Sequence, residues 1–227
     1  MFDYYYLVLV LPAVLFALIC QAAVNGAFSK YSKVPSAAGI TGRDMAAMVL
    51  SANGVTGVGI ERVAGNLTDH YDPRTNVIRL SEGVYDSTSV AAVGVAAHEA
   101  GHAVQHAASY APLTVRNAII PITQIGSTLS MPLVLAGLIF SWYPIAMAGV
   151  ILFGLAVLFQ LVTLPVEFNA SGRAIQAMQS SGYFSEPEIQ KTSKVLRAAA
   201  MTYVAALAVA LANFLRLFLL VNRRNNR

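Results

Sequence analysis

Four long apolar runs are separated by one mixed stretch and one shorter polar segment. The runs cover residues 4–24, 119–142, 144–164 and 198–221. Each holds about 20 residues, which as a helix cross the hydrocarbon core of a bilayer. Tyr4, Tyr5 and Tyr6 suit an aromatic belt at the start of the first run. Met1-Phe2-Asp3 has no basic residue, which favours an uncleaved anchor over a signal peptide. Pro121, Gln124, Ser127, Ser130 and Pro132 predict that the second run is kinked and its spanning part short. Trp142-Tyr143-Pro144 reads as a tight interfacial turn, so the second and third runs form a transmembrane hairpin. Asn213 and Arg216 interrupt the fourth run, which therefore packs partly on protein.

The mixed stretch carries shorter periods. Thr41 with Asp44 resembles a capping box, and Met45, Met48, Val49 and Ala52 follow at helical spacing until Asn53-Gly54. Val58, Ile60 and Val63 suggest a short strand, and residues 76–80 a second. Between them, Thr68-Asp69-His70-Tyr71-Asp72-Pro73 reads as a turn. Ser87, Thr88 and Ser89 offer N-caps for a helix whose end Pro112 follows. Gly94 and Gly101 lie inside that helix at a cost of about 1 kcal/mol each against alanine. Close approach of another backbone, or of a substrate, is the compensating gain. Ser185-Glu186-Pro187-Glu188 starts a further helix, which runs through Lys191, Lys194 and Arg197 into the fourth run.

Composition agrees with this pattern. Of 227 residues, 56% are hydrophobic and 11% charged, against a usual charged share of about 25%. The net charge of +4 comes without a basic run interleaved with aromatics, which argues against a nucleic-acid partner. The single cysteine, Cys20, excludes a disulfide framework and lies in an apolar run, away from any ligating context.

The candidate chemistry sits in the capped helix, in His98-Glu99-Ala100-Gly101-His102. Side chains four apart stack on one helical face with Cβ atoms roughly 5–6 Å apart. Two imidazoles so placed can close on one Zn²⁺, and Glu99 leans toward its open side, where a carboxylate can accept a proton from water. This is the H-E-x-x-H arrangement of zinc metalloproteases. The plainer alternative is a buried helix with two hydrogen-bonded histidines. A catalytic zinc site needs a third protein ligand. His70 and His106 are the other histidines. Glu167 is the best carboxylate: it is the one acid between Glu99 and Glu186, and it follows a long apolar segment, an expensive place for a bare charge. His106 lies one turn beyond His102 on the same stripe and lines the site or bonds in the core rather than ligating. Asp69, His70 and Asp72 fit turn chemistry; the sharper reading makes Asp69 or His70 a group behind the metal or an oxyanion donor. Arg173 fits a headgroup contact or, alternatively, an oxyanion donor.

Three stretches carry a family resemblance: His98 to His106 (HEAGHAVQH), Leu67 to Pro73 (LTDHYDP) and Pro165 to Ser171 (PVEFNAS). Together they resemble the YugP-like membrane zinc metalloproteases over nearly the whole chain. More distantly they are similar to the HtpX and CAAX-protease group. The resemblance implies a gluzincin-type site with His98, His102 and Glu167 as ligands of one Zn²⁺ per chain and Glu99 as the base. The distant group carries an acid where this chain has Ser171, so an Asp–His hydrogen bond does not carry over; Asn169, Ser171 or Asp69 are the substitutes. The resemblance also suggests that the second strand, with Val77, Ile78 and Arg79, is an exposed edge onto which a peptide substrate adds.

These readings give a mainly α, polytopic membrane protein with about four transmembrane helices and a small α+β zincin-like domain at the membrane surface. The expected division is an anchor (1–25), a catalytic domain (26–118), a transmembrane hairpin (119–164), a third-ligand helical segment (165–199) and a fourth transmembrane helix with a basic tail (200–227). The hairpin returns Glu167 to the side that holds His98 and His102. The expected function is a zinc-dependent endopeptidase acting on membrane-associated or unfolded polypeptides at the membrane surface. A non-catalytic, zinc-stabilised membrane adaptor is the alternative. The implied partners are a polypeptide substrate and the lipid bilayer, with a regulatory membrane protein or homo-oligomer left open. Lys30, Lys33, Arg116, Arg173, Lys191, Lys194 and Arg197 flank the membrane on the site-bearing side, which points to a bacterial-type plasma membrane with the site facing the cytoplasm.

Overall fold

A computed structural model of the chain describes residues 3–225. A π-helical turn, Tyr6–Val10, runs directly into α1 (Leu11–Tyr31). Then come α2 (Gly42–Ala52), β1 (Gly59–Val63), β2 (His70–Asp72), β3 (Val77–Ser81), α3 (Glu82–Tyr85) and α4 (Val90–Ala107). Three long helices finish the chain: α5 (Ala111–Ile139), α6 (Tyr143–Ser181) and α7 (Glu186–Asn225). Four helical segments are long and apolar enough to cross a membrane: Tyr6–Tyr31, Ala111–Ile139, Tyr143–Ser181 and Glu186–Arg223. The chain is a polytopic, mainly α membrane protein.

Two compact units make up the fold. One contains the N-terminal helix up to Cys20, Thr114–Leu164 and the chain from Thr202. Its interior is thin: Val134, Ala146, Val150, Leu217 and Val221 are buried, with Phe153 and Phe214 against them. The second run was expected to be kinked with a short spanning part; α5 is instead one helix of 29 residues that holds Pro121 and Pro132 inside it. Helices in apolar surroundings tolerate proline because hydroxyls and neighbouring helices compensate for freed backbone groups. Arg216 is not a bare charge in the fourth run. It donates to Asp3 Oδ2 at 2.6 Å and lies 5.3 Å from the centre of the Tyr6 ring.

The other unit contains Gln21–Leu113 and Pro165–Met201. Thr41 caps α2: its Oγ1 accepts from the Asp44 N–H at 3.1 Å. The Asp44 carboxylate turns back to the Thr41 hydroxyl, which donates to Oδ2 at 2.6 Å, rather than to the Thr41 N–H that a full capping box would use. Met45, Val49 and Leu50 from α2 pack with Ile78, Leu80, Val84, Val93, Ala96, Ala97, Ala100, Ala174 and Met178 in one core.

The sheet has the order β1-β3-β2. β1 and β3 are parallel from Gly59↔Val77 to Val63↔Ser81. The segment read as turn-rich contains β2, antiparallel to β3 from His70↔Arg79 to Asp72↔Val77. This corrects the expectation that Val77, Ile78 and Arg79 form an exposed edge. They lie on the central strand, paired on both sides, and the open edges are β1 and β2. The turn chemistry is real but tighter than expected. Asp72 Oδ1 accepts from the Arg74 N–H at 2.9 Å, its Oδ2 accepts from Thr75 Oγ1 at 2.8 Å, and Asn76 closes the hairpin at φ 56°.

Candidate metal centre

α4 begins at Ser89, whose Oγ accepts from the Ala92 N–H at 3.2 Å. Its small residues let other helices come close. A Cβ on Gly101 would sit 3.0 Å from the Ala170 carbonyl oxygen of α6, and one on Gly94 would sit 2.3 Å from Thr192 Cγ2 of α7. These contacts account for both glycines. On α6, Glu167, Ala170, Ser171, Ala174 and Met178 recur at i, i+3, i+4, i+7 and i+11, the spacing of one helical stripe. The close passage at Gly101 brings that stripe against the histidine face of α4.

His98, His102 and Glu167 meet there, each offering a ligand atom within 4.8 Å of the others. Glu167 Oε2 is 3.3 Å from His98 Nε2 and 3.6 Å from His102 Nε2. The two imidazole rings stand at 86° to each other with centroids 4.7 Å apart. For ligand bonds of about 2.0–2.2 Å, neighbouring corners of a tetrahedron lie roughly 3.4 Å apart. The two Glu167–histidine separations have that size, and two imidazoles with one carboxylate form a donor set suited to zinc with a fourth position open. The residues fit the metal. Glu99 is 9% exposed, buried beside this group. The imidazole of His102 is raised above its usual pKa. Burial opposes its charged form, but the hydrogen bond to Glu167 and the nearby Glu99 and Glu167 carboxylates outweigh it.

Behind the histidines stand polar side chains. Ser171 Oγ lies 3.1 Å from His98 Nδ1. Gln105 Oε1 lies 3.0 Å from His102 Nδ1, and Gln105 Nε2 donates to the Val166 carbonyl and to Asn169 Oδ1, both at 2.9 Å. Arg173 Nε donates to the same Asn169 oxygen at 2.8 Å. Arg173 also lines a cavity of about 300 Å³ between α2 and α6, with Met45, Met48, Val49 and Gln176. Gln105 was not singled out in the sequence. Its signal is there: the one amide in a run of small and apolar residues, three positions after His102.

The remaining candidates lie outside this group of ligand atoms. His106 is exposed, with Nδ1 2.7 Å from Tyr71 Oη. Its tautomer follows from its neighbours. Asn76 Nδ2 donates to the Gly57 carbonyl at 2.9 Å, so Asn76 Oδ1 faces the Tyr71 hydroxyl at 2.8 Å and accepts its proton. The Tyr71 oxygen is then an acceptor, and His106 donates from Nδ1. This pair ties β2 to α4. His70 is exposed, its Nδ1 2.8 Å from the Thr68 carbonyl. Asp69 accepts from the Ser81 N–H at 2.7 Å and from the Ser81 hydroxyl at 3.0 Å. Burial raises the Asp69 pKa, the Ser81 bonds partly offset it, and the charge of Glu99 adds to the rise.

Comparison with known proteins agrees with the donor set. The family described as "Putative neutral zinc metallopeptidase" matches residues 6–222. The chain belongs to this family. It is therefore a zinc metallopeptidase integral to the membrane. It is 47% identical over 196 residues to the "Putative membrane protease YugP" of Bacillus subtilis (strain 168), covering 86% of this chain and 87% of that protein. No solved structure matches.

Proposed function

We propose that this metallopeptidase is an endopeptidase cutting membrane-associated or unfolded polypeptides at the membrane surface, with one Zn²⁺ held by His98, His102 and Glu167. The observation that carries the reading is the gathering of these ligand atoms within 4.8 Å on two helices, with buried Glu99 following the first histidine. The chemistry the metal supplies when bound is Lewis acidity, which brings the pKa of a water toward 7 and polarises a carbonyl. Glu99 accepts the proton of the attacking water and delivers it to the leaving amine. Gln105 and Ser171 hold the imidazoles with Nε2 turned inward. A polypeptide lies extended beside the site along the open edge of β2, which Tyr71 and His106 tie to the same helix.

The substrate class follows from the position of Glu167 on α6. The apolar run ends at Leu164, so the carboxylate comes only about 5 Å further along the helix. Seven flanking cations, from Lys30 to Arg197, support a cytoplasmic site. Arg223, Arg224 and Arg227 in the tail pull the other way and are fewer.

The test is hydrolysis of an unfolded protein by detergent-purified wild type and Glu99→Gln, with zinc measured in both. Cleavage by the wild type alone at equal zinc content supports the assignment. Full zinc and normal activity in Glu167→Ala refute the ligand set. In proteoliposomes, a cleavable segment tethered at increasing distance from a membrane anchor should be cut ever more slowly. Indifference to that distance refutes action at the membrane surface.

A further inference from the structure

We infer that Gln105 is the positioning residue for His102, and that Asn169 and Arg173 lock its amide in the one orientation that leaves His102 Nε2 free for the metal. The inference rests on the ligand set proposed above.

The Val166 carbonyl can only accept, and the Gln105 amide atom 2.9 Å away must therefore be the nitrogen. The second hydrogen of that nitrogen points to Asn169 Oδ1, also at 2.9 Å. Arg173 has no acceptor, so the Asn169 atom that takes its Nε–H at 2.8 Å must be the oxygen. Both ends of the relay thus fix the Gln105 amide the same way round. Its oxygen is left facing His102 Nδ1 at 3.0 Å. Because that oxygen can only accept, His102 carries a proton on Nδ1, which leaves Nε2, 3.6 Å from Glu167 Oε2, as the nitrogen that a metal would take.

Gln105 itself is fully buried, at 0% exposure. Such a site charges heavily for an unpaired amide, and all three hydrogen-bonding positions of Gln105 named here are used. The two histidines are held differently. His98 faces a serine hydroxyl, which can donate or accept and so imposes no tautomer. His102 faces an amide that imposes one. The relay also reaches the cavity between α2 and α6 through Arg173, so His102 is braced by groups well removed from the ligand atoms.

A merely structural Gln105, pinning α4 to α6 through Val166, would affect folding but not the metal. The readout is therefore zinc affinity by chelator competition on the detergent-purified full chain, with the absorption bands of the cobalt-substituted protein and the melting temperature of the metal-free form. Groups that orient a ligating histidine contribute about 10–100-fold to metal affinity. Gln105→Leu should lose that much and shift the cobalt bands. Asn169→Leu should lose less but in the same direction. Asn169→Asp keeps an acceptor for both donors and should stay within about threefold of the wild type. If Gln105→Leu does not fold, the Asn169 pair decides. Zinc affinity unchanged in Gln105→Leu and Asn169→Leu overturns the inference, as does Asn169→Asp falling as far as Asn169→Leu. Glu167→Ala separates the two levels. If it binds zinc like the wild type, the ligand set itself fails. If it loses zinc while Gln105→Leu does not, only the positioning role fails.

Discussion

In the unit that holds α5 and the first part of α6, large side chains face outward. Ile122, Ile125, Leu129, Ile139, Ile151 and Leu158 are exposed, while the interior is built from Val134, Ala146 and Val150. The unit that holds the metal centre is the reverse. Met45, Ile78, Leu80 and Met178 are fully buried, and Glu99, Gln105 and Glu167 are buried among them. The difference follows from the solvent. Lipid tails are as apolar as leucine, so burying leucine there gains little, and helices associate through close backbone packing. Water rewards burial of apolar surface, and that core can hold a few polar groups in fixed positions. The chemistry belongs to the second kind of interior.

The largest predicted effect tests the buried polar group. Glu99→Gln should cut turnover by about 10²–10⁴-fold while zinc content stays at the wild-type level, as steady-state rates with metal analysis would show. Next comes apolar burial itself. Leu80→Ala, at a fully buried position, should cost about 2–5 kcal/mol in a chemical unfolding titration. Leu158→Ala, on an outward-facing position, should stay within about 0.5 kcal/mol. Equal losses at the two positions would erase the contrast between the units. Gly101→Val should cost about 1–3 kcal/mol by forcing α4 from the Ala170 backbone, and zinc affinity should fall with it.

The smallest effect lies on the β2–β3 turn. The Asp72 carboxyl is lowered from 3.8 to about 2, first by the Arg74 N–H and then by Thr75 and Arg79. A depressed carboxylate pKa means that the unfolded chain binds its proton first as pH falls. The stabilisation from Asp72 is therefore complete above 3.8 and lost toward pH 2. The difference in melting temperature between wild type and Asp72→Asn should close over that window. A difference that stays at its neutral-pH size down to pH 2 would mean that the carboxylate charge is not its source.

What the sequence revealed follows the strength of the local signals. The four spans, the Thr41 cap and the His98-to-His102 helix rest on long periods or on residues whose chemistry is local. β2 was hidden because three residues make too short a period to register, and because Asp72 and Pro73 beside it signal a turn. The edge role of β3 came from the family resemblance alone, and β2 takes the edge in its place. Gln105 was passed over because its role depends on Val166 and Asn169, more than sixty positions away, which only the packing of α4 on α6 brings near. Prolines suggested a short span in α5, but local propensity yields where the surroundings are apolar.

α6 joins the apolar run and Glu167 in one uninterrupted helix of 39 residues. No loop between Leu164 and Glu167 is available to absorb a change in chain length. Each residue of a helix turns it by about 100°, so one residue inserted there would rotate the third-ligand stripe away from α4 or swing the apolar half around its own axis. Insertions and deletions should be tolerated at the 140–142 turn and refused between it and Ser171, which gives evolution freedom to substitute along this stretch but not to lengthen it.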